Sequence, residues 1–413
     1  MTNLPFTLSL SLLAACSSAL ALPSQTAMSA APEVVRAGGP AALEQLLAKY
    51  DRMQPGAERD ELAQQIDQVA AQKHATVSRM YWYTDLASAK AAAQKAGKPI
   101  LELRLLGRLD EELSCANSRI LRETLYAHTE LSKWLRDHFI LMWSTERPVP
   151  KVTIDFGDGR TIHTTTTGNS AHFIRDARGE VVDVLPGVYA PGPFRAELDK
   201  TLALIATLDG TDAAKRAQQV KQWHAQRAAA SRFAWRGYTR GATGRQIAAL
   251  MKDPPDQTAV ERAQVVTVSK AYVEMPQLAG FGADPGAIDE DETAAWAMIG
   301  ALQWKLDGAP ILDASSKSLV VALHQAGPVK STQAELDALI PRFEQHLVAD
   351  SGLNELKLRP KIHAYLAEKP AEFAALDTFL YGEVFNTPVA DRWLGLLPRT
   401  DVTGLAGDGA LIP

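Results

Sequence analysis

The chain has 413 residues, with 43 lysines and arginines against 48 aspartates and glutamates, a net charge of −5 and a pI near 6.0. That balance leaves no basic footprint and argues against nucleic acid as a partner. The length exceeds the roughly 250–300 residues at which a single core stops growing, so two domains are expected, and two cysteines are too few for a disulfide framework.

From Leu4 to Leu22 every residue is apolar or small, and no charged side chain precedes Glu33. Residues 1–22 read as a secretory signal, although the usual n-region lysine or arginine is missing. Three fates stay open. Leu13-Ala-Ala-Cys16 resembles a bacterial lipobox, in which Cys16 is lipidated; Ala19-Leu-Ala21 fits ordinary cleavage; and about 20 residues suffice for an uncleaved anchor. The expected location is exported, as a periplasmic protein or an outer-membrane lipoprotein that meets the membrane only through its N-terminal lipid. Either cleavage leaves Cys115 as the free thiol.

Residues 23–79 form an N-terminal helical segment. Leu43, Leu46 and Leu47 share one helical face, Leu62, Ile66 and Val69 another, and Gln54-Pro-Gly56 separates the two helices. Tyr81-Trp82-Tyr83 reads as core packing in preference to a ligand platform. A helix capped by Thr84 or Asp85 runs to Gly97. Next come a strand from Pro99 to Leu106, a polar loop, Cys115-Ala-Asn-Ser118, two helix-patterned segments and the apolar run Phe139–Trp143, a β-loop-α-β order.

Arg147-Pro-Val-Pro150 opens an inserted hairpin over 147–167, with strands Val152–Phe156 and Arg160–Thr164 and a turn at Asp158-Gly159, where positive φ is needed. Asp155 and Asp158 lack the rest of a calcium loop. The hairpin is a candidate cover for the groove beside Cys115. A second hairpin follows, Ala171–Gly179 and Glu180–Gly187, turning at Gly179. Residues 209–413 read as helical, interrupted at Asp253-Pro-Pro255, Gly280–Gly286, Gly308-Ala-Pro310 and Gly327-Pro328. This half holds no nucleophile elbow, phosphate loop or fixed-period repeat. Trp296 and Trp304 belong to an apolar helix, Ala294–Leu306; His346 and His363 are too far apart in sequence to argue as a pair; and Asp391–Pro398 reads as a strap on the helical body.

Gly97-Lys-Pro-Ile-Leu101, Thr124–Leu131 with Trp134-Leu135 and His138-Phe-Ile140, and Ala171–Gly187 together resemble the thioredoxin-like superfamily over residues 80–208. The resemblance implies a three-layer αβα domain, preceded by helices and followed by an all-α domain. It places Cys115 and Ser118 at the two redox-motif positions, so the motif is Cys-x-x-Ser. Ser170 takes the place of the superfamily's cis-proline, and since a cis bond before a non-proline residue costs about 2.5–4 kcal/mol, Asn169-Ser170 is expected to be trans. Asn169, Ser170, His172 and Arg119 are the expected groove-lining residues, although His172 also reads as a satisfied core histidine.

A helix N-terminus, with Arg119 and Arg108 nearby, favours a thiolate at Cys115, and Asp110, Glu111 and Glu112 oppose it. Ser118 would polarise the thiol or cap the helix. Without a second cysteine, intramolecular exchange is excluded, leaving mixed disulfides with a protein or small-thiol partner, or oxidation to a sulfenic acid. The scattered histidines argue against a metal, and no cofactor is implied. Two functions are therefore expected: a monothiol redox protein of the cell envelope, or an inert thioredoxin-fold scaffold or binding protein.

Overall fold

In the computed structural model the described residues are Arg36, 38–166, 168–240, 290–306, 310–327 and 330–386. The signal segment, Cys16, Asp253-Pro-Pro255, 280–286 and the strap Asp391–Pro398 lie outside them. Helices α1 (Gly39–Tyr50) and α2 (Ala57–Ala70) bury Leu43, Leu47, Leu62, Ile66 and Val69 against each other as a small core of their own. A short helix α3 (Ala75–Ser78) leads to Trp82, which is fully buried and whose indole N–H donates to Gln72 Oε1 at 2.6 Å. Tyr81 and Tyr83 on either side of it remain half-buried. Asp85 caps α4 (Leu86–Ala96) by accepting from Ser88 N at 2.7 Å.

The sheet is built on β1 (Ile100–Leu106), a leucine-rich strand buried along nearly its whole length because it has a strand on each side, its buried Glu102 accepting from Arg175 on the neighbouring strand at 2.6 Å. The loop after it leads to α5 (Ala116–Glu123) and α6 (Thr129–His138), then to β2 (Ile140–Arg147), which pairs parallel to β1. Strands β3 (Lys151–Asp155) and β4 (Thr161–Thr165) form a separate two-stranded hairpin, with Gly157 and Gly159 at positive φ in its turn. Strand β5 (Ala171–Arg175) runs antiparallel to β1, and β6 (Val181–Pro186) antiparallel to β5, giving the order β2-β1-β5-β6. Helix α7 (Pro191–Leu208) follows and packs against β6.

The described residues beyond are helical: α8 (Ala213–Arg240), α9 (Glu290–Trp304), α10 (Ala314–Ala326), α11 (Gln333–Leu353), α12 (Arg359–Glu368) and α13 (Phe373–Phe379). Two five-residue π-helical turns, Asn354–Leu358 and Leu380–Val384, extend α11 and α13. The protein is thus an α/β unit with a four-stranded sheet flanked by helices, joined to a helical C-terminal part. One continuous core spans both, from Leu101, Leu103 and Phe173 in the sheet to Trp296, Leu353 and Phe385 in the helices. Among the described residues no helix is long and apolar enough to cross a membrane.

Helices α9 and α11 approach through Gly300 and Gly352. A Cβ on Gly300 would lie 2.4 Å from the Val348 carbonyl oxygen, a backbone atom that cannot swing aside. Gly300→Ala is therefore expected to force the helices apart at a cost of about 1–3 kcal/mol, read as a lower urea midpoint; an unchanged midpoint would mean the crossing is looser than described.

Candidate functional site

The site lies at the carboxyl end of β1. Leu106 ends the strand, and its carbonyl accepts from Cys115 N at 3.2 Å, closing the intervening loop back onto the strand. Arg122, itself buried, tethers the same loop by donating to the carbonyls of Leu109, Glu111 and Glu112 at 3.2, 2.8 and 3.3 Å. Cys115 then occupies the N-cap position of α5, with φ −58° and ψ 154°. Its Sγ lies 3.4 Å from Ser118 Oγ, which is 2.7 Å from Ser114 Oγ and 2.8 Å from the Cys115 carbonyl. The two motif positions therefore meet inside one helical turn. The hydroxyl is engaged locally, and it does not reach out to a groove.

Cys115 is completely buried, and so is Ser118. Three layers close over them. The first is the loop before β5, where Gly168 holds φ +128° and a Cβ would come within 3.1 Å of Cys115 Cβ, so only glycine lets the loop lie this close. The second is the base of the inserted hairpin: Thr165 Oγ1 donates to the Ser114 carbonyl at 3.1 Å and accepts from Arg119 Nη2 at 2.9 Å. The third comes from the helical part, where Tyr381 in the second π-helical turn donates to the Asn169 carbonyl at 3.2 Å. The first π-helical turn does the same for the adjoining loop, as Asn354 Nδ2 donates to the Val188 carbonyl at 2.6 Å. A π-helical turn carries one residue more than an α-turn and re-aims its side chains, and both such turns here press on loops at this end of the sheet.

Asn169, Ser170 and His172 are also fully buried, and the Asn169-Ser170 peptide is trans. Asn117 Nδ2 contacts Asn169 Oδ1 at 3.4 Å. His172 Nε2 lies 2.7 Å from the Tyr126 hydroxyl, and the ring packs on Phe194 with centroids 4.7 Å apart; its Nδ1 has no partner. Burial lowers the His172 pKa to about 3, so the imidazole is neutral. Burial, and after it the proximity of Cys115, push the Tyr126 phenol well above its usual value. Arg108, expected near the thiol, instead forks onto Asp110 at 2.9 and 2.6 Å and stacks over Trp143. Cys115, Ser118, Asn169, Ser170 and His172 thus all lie inside the core and not along an open groove, while Arg119 is half-buried above them.

A second polar cluster joins the two parts. Asp183 on β6 is fully buried and accepts four hydrogen bonds: Arg359 Nη1 and Nη2 at 2.6 and 3.0 Å, Thr201 Oγ1 at 2.8 Å and Val184 N at 2.8 Å. Burial pushes its pKa up, but Arg359 and the neighbouring histidines outweigh that and hold it below the usual carboxylate range. His224 and His363 lie beside it, their Nδ1 atoms 2.8 Å apart, with His224 Nε2 2.9 Å from the Val182 carbonyl. Among the described residues this is the trio whose ligand atoms fall within 4.8 Å of one another as a metal site requires. The donor set does not fit a cation. A carboxylate offers about four lone-pair sites, all four are taken, and the Arg359 guanidinium already supplies the positive charge. The cluster is a charge lock between sheet and helices.

Sequence reasoning missed this lock because Asp183 and Arg359 stand 176 positions apart and belong to no local motif. The nearest signal was an aspartate within the otherwise apolar run Val181–Leu185. No protein-family model matches the chain, and neither a curated protein nor a solved structure does.

Proposed function

We propose that this chain is an exported protein of the bacterial cell envelope whose α/β unit is a degenerate thioredoxin-like fold serving as a scaffold, with the thiol sealed and not catalytic. The observation that carries this reading is the complete burial of Cys115 in a core that the sheet shares with the C-terminal helices. A thiol that exchanges disulfides must present its sulfur to a partner, and this sulfur contacts Ser118 beneath Gly168 and the hairpin base. The resemblance itself is supported by Cys115 opening the helix after a central strand and by the antiparallel pair β5–β6. Export rests on the amino-terminal sequence alone.

The second reading, a monothiol redox protein acting through mixed disulfides, keeps one favourable observation: Cys115 stands at a helix N-cap with Ser118 within reach. Iodoacetamide labelling of the folded protein, with Cys115→Ser as the blank, separates the two. The scaffold reading expects labelling only after denaturation. Rapid labelling of the folded chain near neutral pH would overturn it and direct attention to trapped mixed-disulfide partners.

A further inference from the structure

A groove of about 580 Å³ opens between α1 and the start of β2. Its floor is apolar: Leu43 and Leu47 from α1, and Phe139 and Leu141 at the head of β2, all buried against the core. Tyr81 and Tyr83, packed edge to face with centroids 5.1 Å apart, form one wall. The rim is cationic, with Lys98, Lys133, Arg136 and Arg79 against two acids, Glu44 and Asp137.

Two of these cations are already neutralised locally: Lys133 lies 2.5 Å from Asp137, and Arg79 2.8 Å from Asp51 outside the groove. Arg136 and Lys98 make no direct ion pair among the described residues, and feel Asp137 only through space. Arg136 Nε donates to the Ser132 carbonyl at 3.2 Å and Nη1 to the Arg79 carbonyl at 3.5 Å, while Lys98 Nζ donates to the Arg136 carbonyl at 3.1 Å. Carbonyls satisfy hydrogen-bonding capacity without bringing a carboxylate into contact with either charge. Burial, and then Arg79, lower the Arg136 pKa against the weaker opposing pull of Asp137 and Glu44. Surface cations are ordinary, but two with no carboxylate in direct contact, half-buried beside an apolar and aromatic groove, form an amphipathic receptor.

We propose that this groove binds a small anionic amphiphile, a molecule with an apolar tail and one carboxylate head, the tail along the half-buried Tyr81–Tyr83 wall above the closed leucine and phenylalanine floor and the head between Arg136 and Lys98. Its volume favours a small molecule over a protein partner, since ligand sites run to roughly 300–1,000 Å³ and a stable protein interface needs about 800 Å² from each side. Arg136 supplies planar donors that match a carboxylate, and Lys98 adds a second charge. Glu44, at the same rim, opposes the head and sets a ceiling on affinity.

The test is calorimetric titration of the full processed chain with decanoate, and in parallel with decyltrimethylammonium, which has the same chain length and the opposite head charge. Saturable decanoate binding is expected, with at least tenfold weaker binding of the cation. Arg136→Met should weaken decanoate about tenfold, in line with the loss of one charge-assisted contact, and Glu44→Gln should strengthen it severalfold. Lys98→Met, at a half-buried position making a single carbonyl contact, gives a second reading should Arg136→Met fail to fold. Absence of saturable decanoate binding, equal binding of the two probes, or unchanged affinity in a folded Arg136→Met or Lys98→Met protein would overturn the proposal.

Discussion

Arg359→Met is expected to lower the unfolding free energy by about 3–5 kcal/mol, the range for breaking one side of a buried ion pair. The side chain is fully buried, and it forks onto both oxygens of Asp183 while Nη1 also donates to the Val184 carbonyl at 2.5 Å. Its Nε lies 3.3 Å from Glu355 Oε1, a carboxylate that also accepts from Tyr189 at 2.9 Å. Methionine fills much of the volume but leaves Asp183 as a buried anion with no compensating charge. Urea unfolding followed by tryptophan fluorescence measures the loss. The companion Arg359→Met/Asp183→Leu protein separates charge from packing, because removing both partners of a buried pair is often nearly neutral. Recovery of most of the lost stability identifies the orphaned charge as the cause; a single variant costing less than about 1 kcal/mol would show that the lock contributes little.

The second large effect is loss of stability in acid, and His172 is its main source. Its pKa is about 3 in the folded protein against an ordinary 6.5, so the unfolded chain binds the proton first. Its contribution is whole above pH 6.5 and is lost as pH falls towards 3, at about 1.4 kcal/mol per unit, or about 4–5 kcal/mol across the window. His346, lowered to about 4 by burial and Arg342, acts in the same sense. Glu355 acts in the opposite sense. Burial, and after it Glu197, raise its pKa to about 7, so protonation between pH 7 and 4.5 relieves a penalty that exists at neutral pH. His74, lowered to about 4 by burial, acts with the histidines, and Glu123 and Asp377, each raised to about 7 by burial, act with Glu355, so three imidazoles and three carboxyls nearly offset one another down to about pH 4.5 and stability falls below it. Replacing the pair together, His172→Leu with Tyr126→Phe, removes the titrating ring without stranding the phenol and should flatten that acid limb. An identical acid limb in the double variant would assign the transition to other groups.

How much of this was legible depends on how local the signal was. Pro99–Leu106 is a leucine-rich run interrupted only by Glu102 and Arg104 between a glycine-lysine start and a polar loop, and such a run finds its place at the centre of a sheet once those two charges are paired, Glu102 with Arg175 and Arg104 with Asp377. The inserted hairpin shows alternation in its first strand and glycines where positive φ is required. The helical character of the C-terminal part follows from periodicity in the same way. Hydrophobic pattern reports that a residue is buried and not what buries it, and the site turns on that distinction. Cys115 and Ser118 are neighbours on one helical turn, whereas Tyr381 and Asn354, which help seal that end of the sheet, belong to turns read from sequence as ordinary helix. Tyr81 and Tyr83 show the same limit, since the triplet Tyr81-Trp82-Tyr83 reads uniformly as core and only the central ring is fully buried.

The lock at Asp183 also sets the order in which the molecule can be completed during synthesis. Its lone-pair partners arrive along the chain at Val184, Thr201 and finally Arg359, 176 positions after the aspartate itself. At roughly 5–20 residues per second the ribosome covers that interval in about 10–35 s. For that time β6 carries an anion that only neutral donors can reach, and the sheet edge cannot close into a dry core. The α/β unit therefore waits for the tail of its own polypeptide before its core can close.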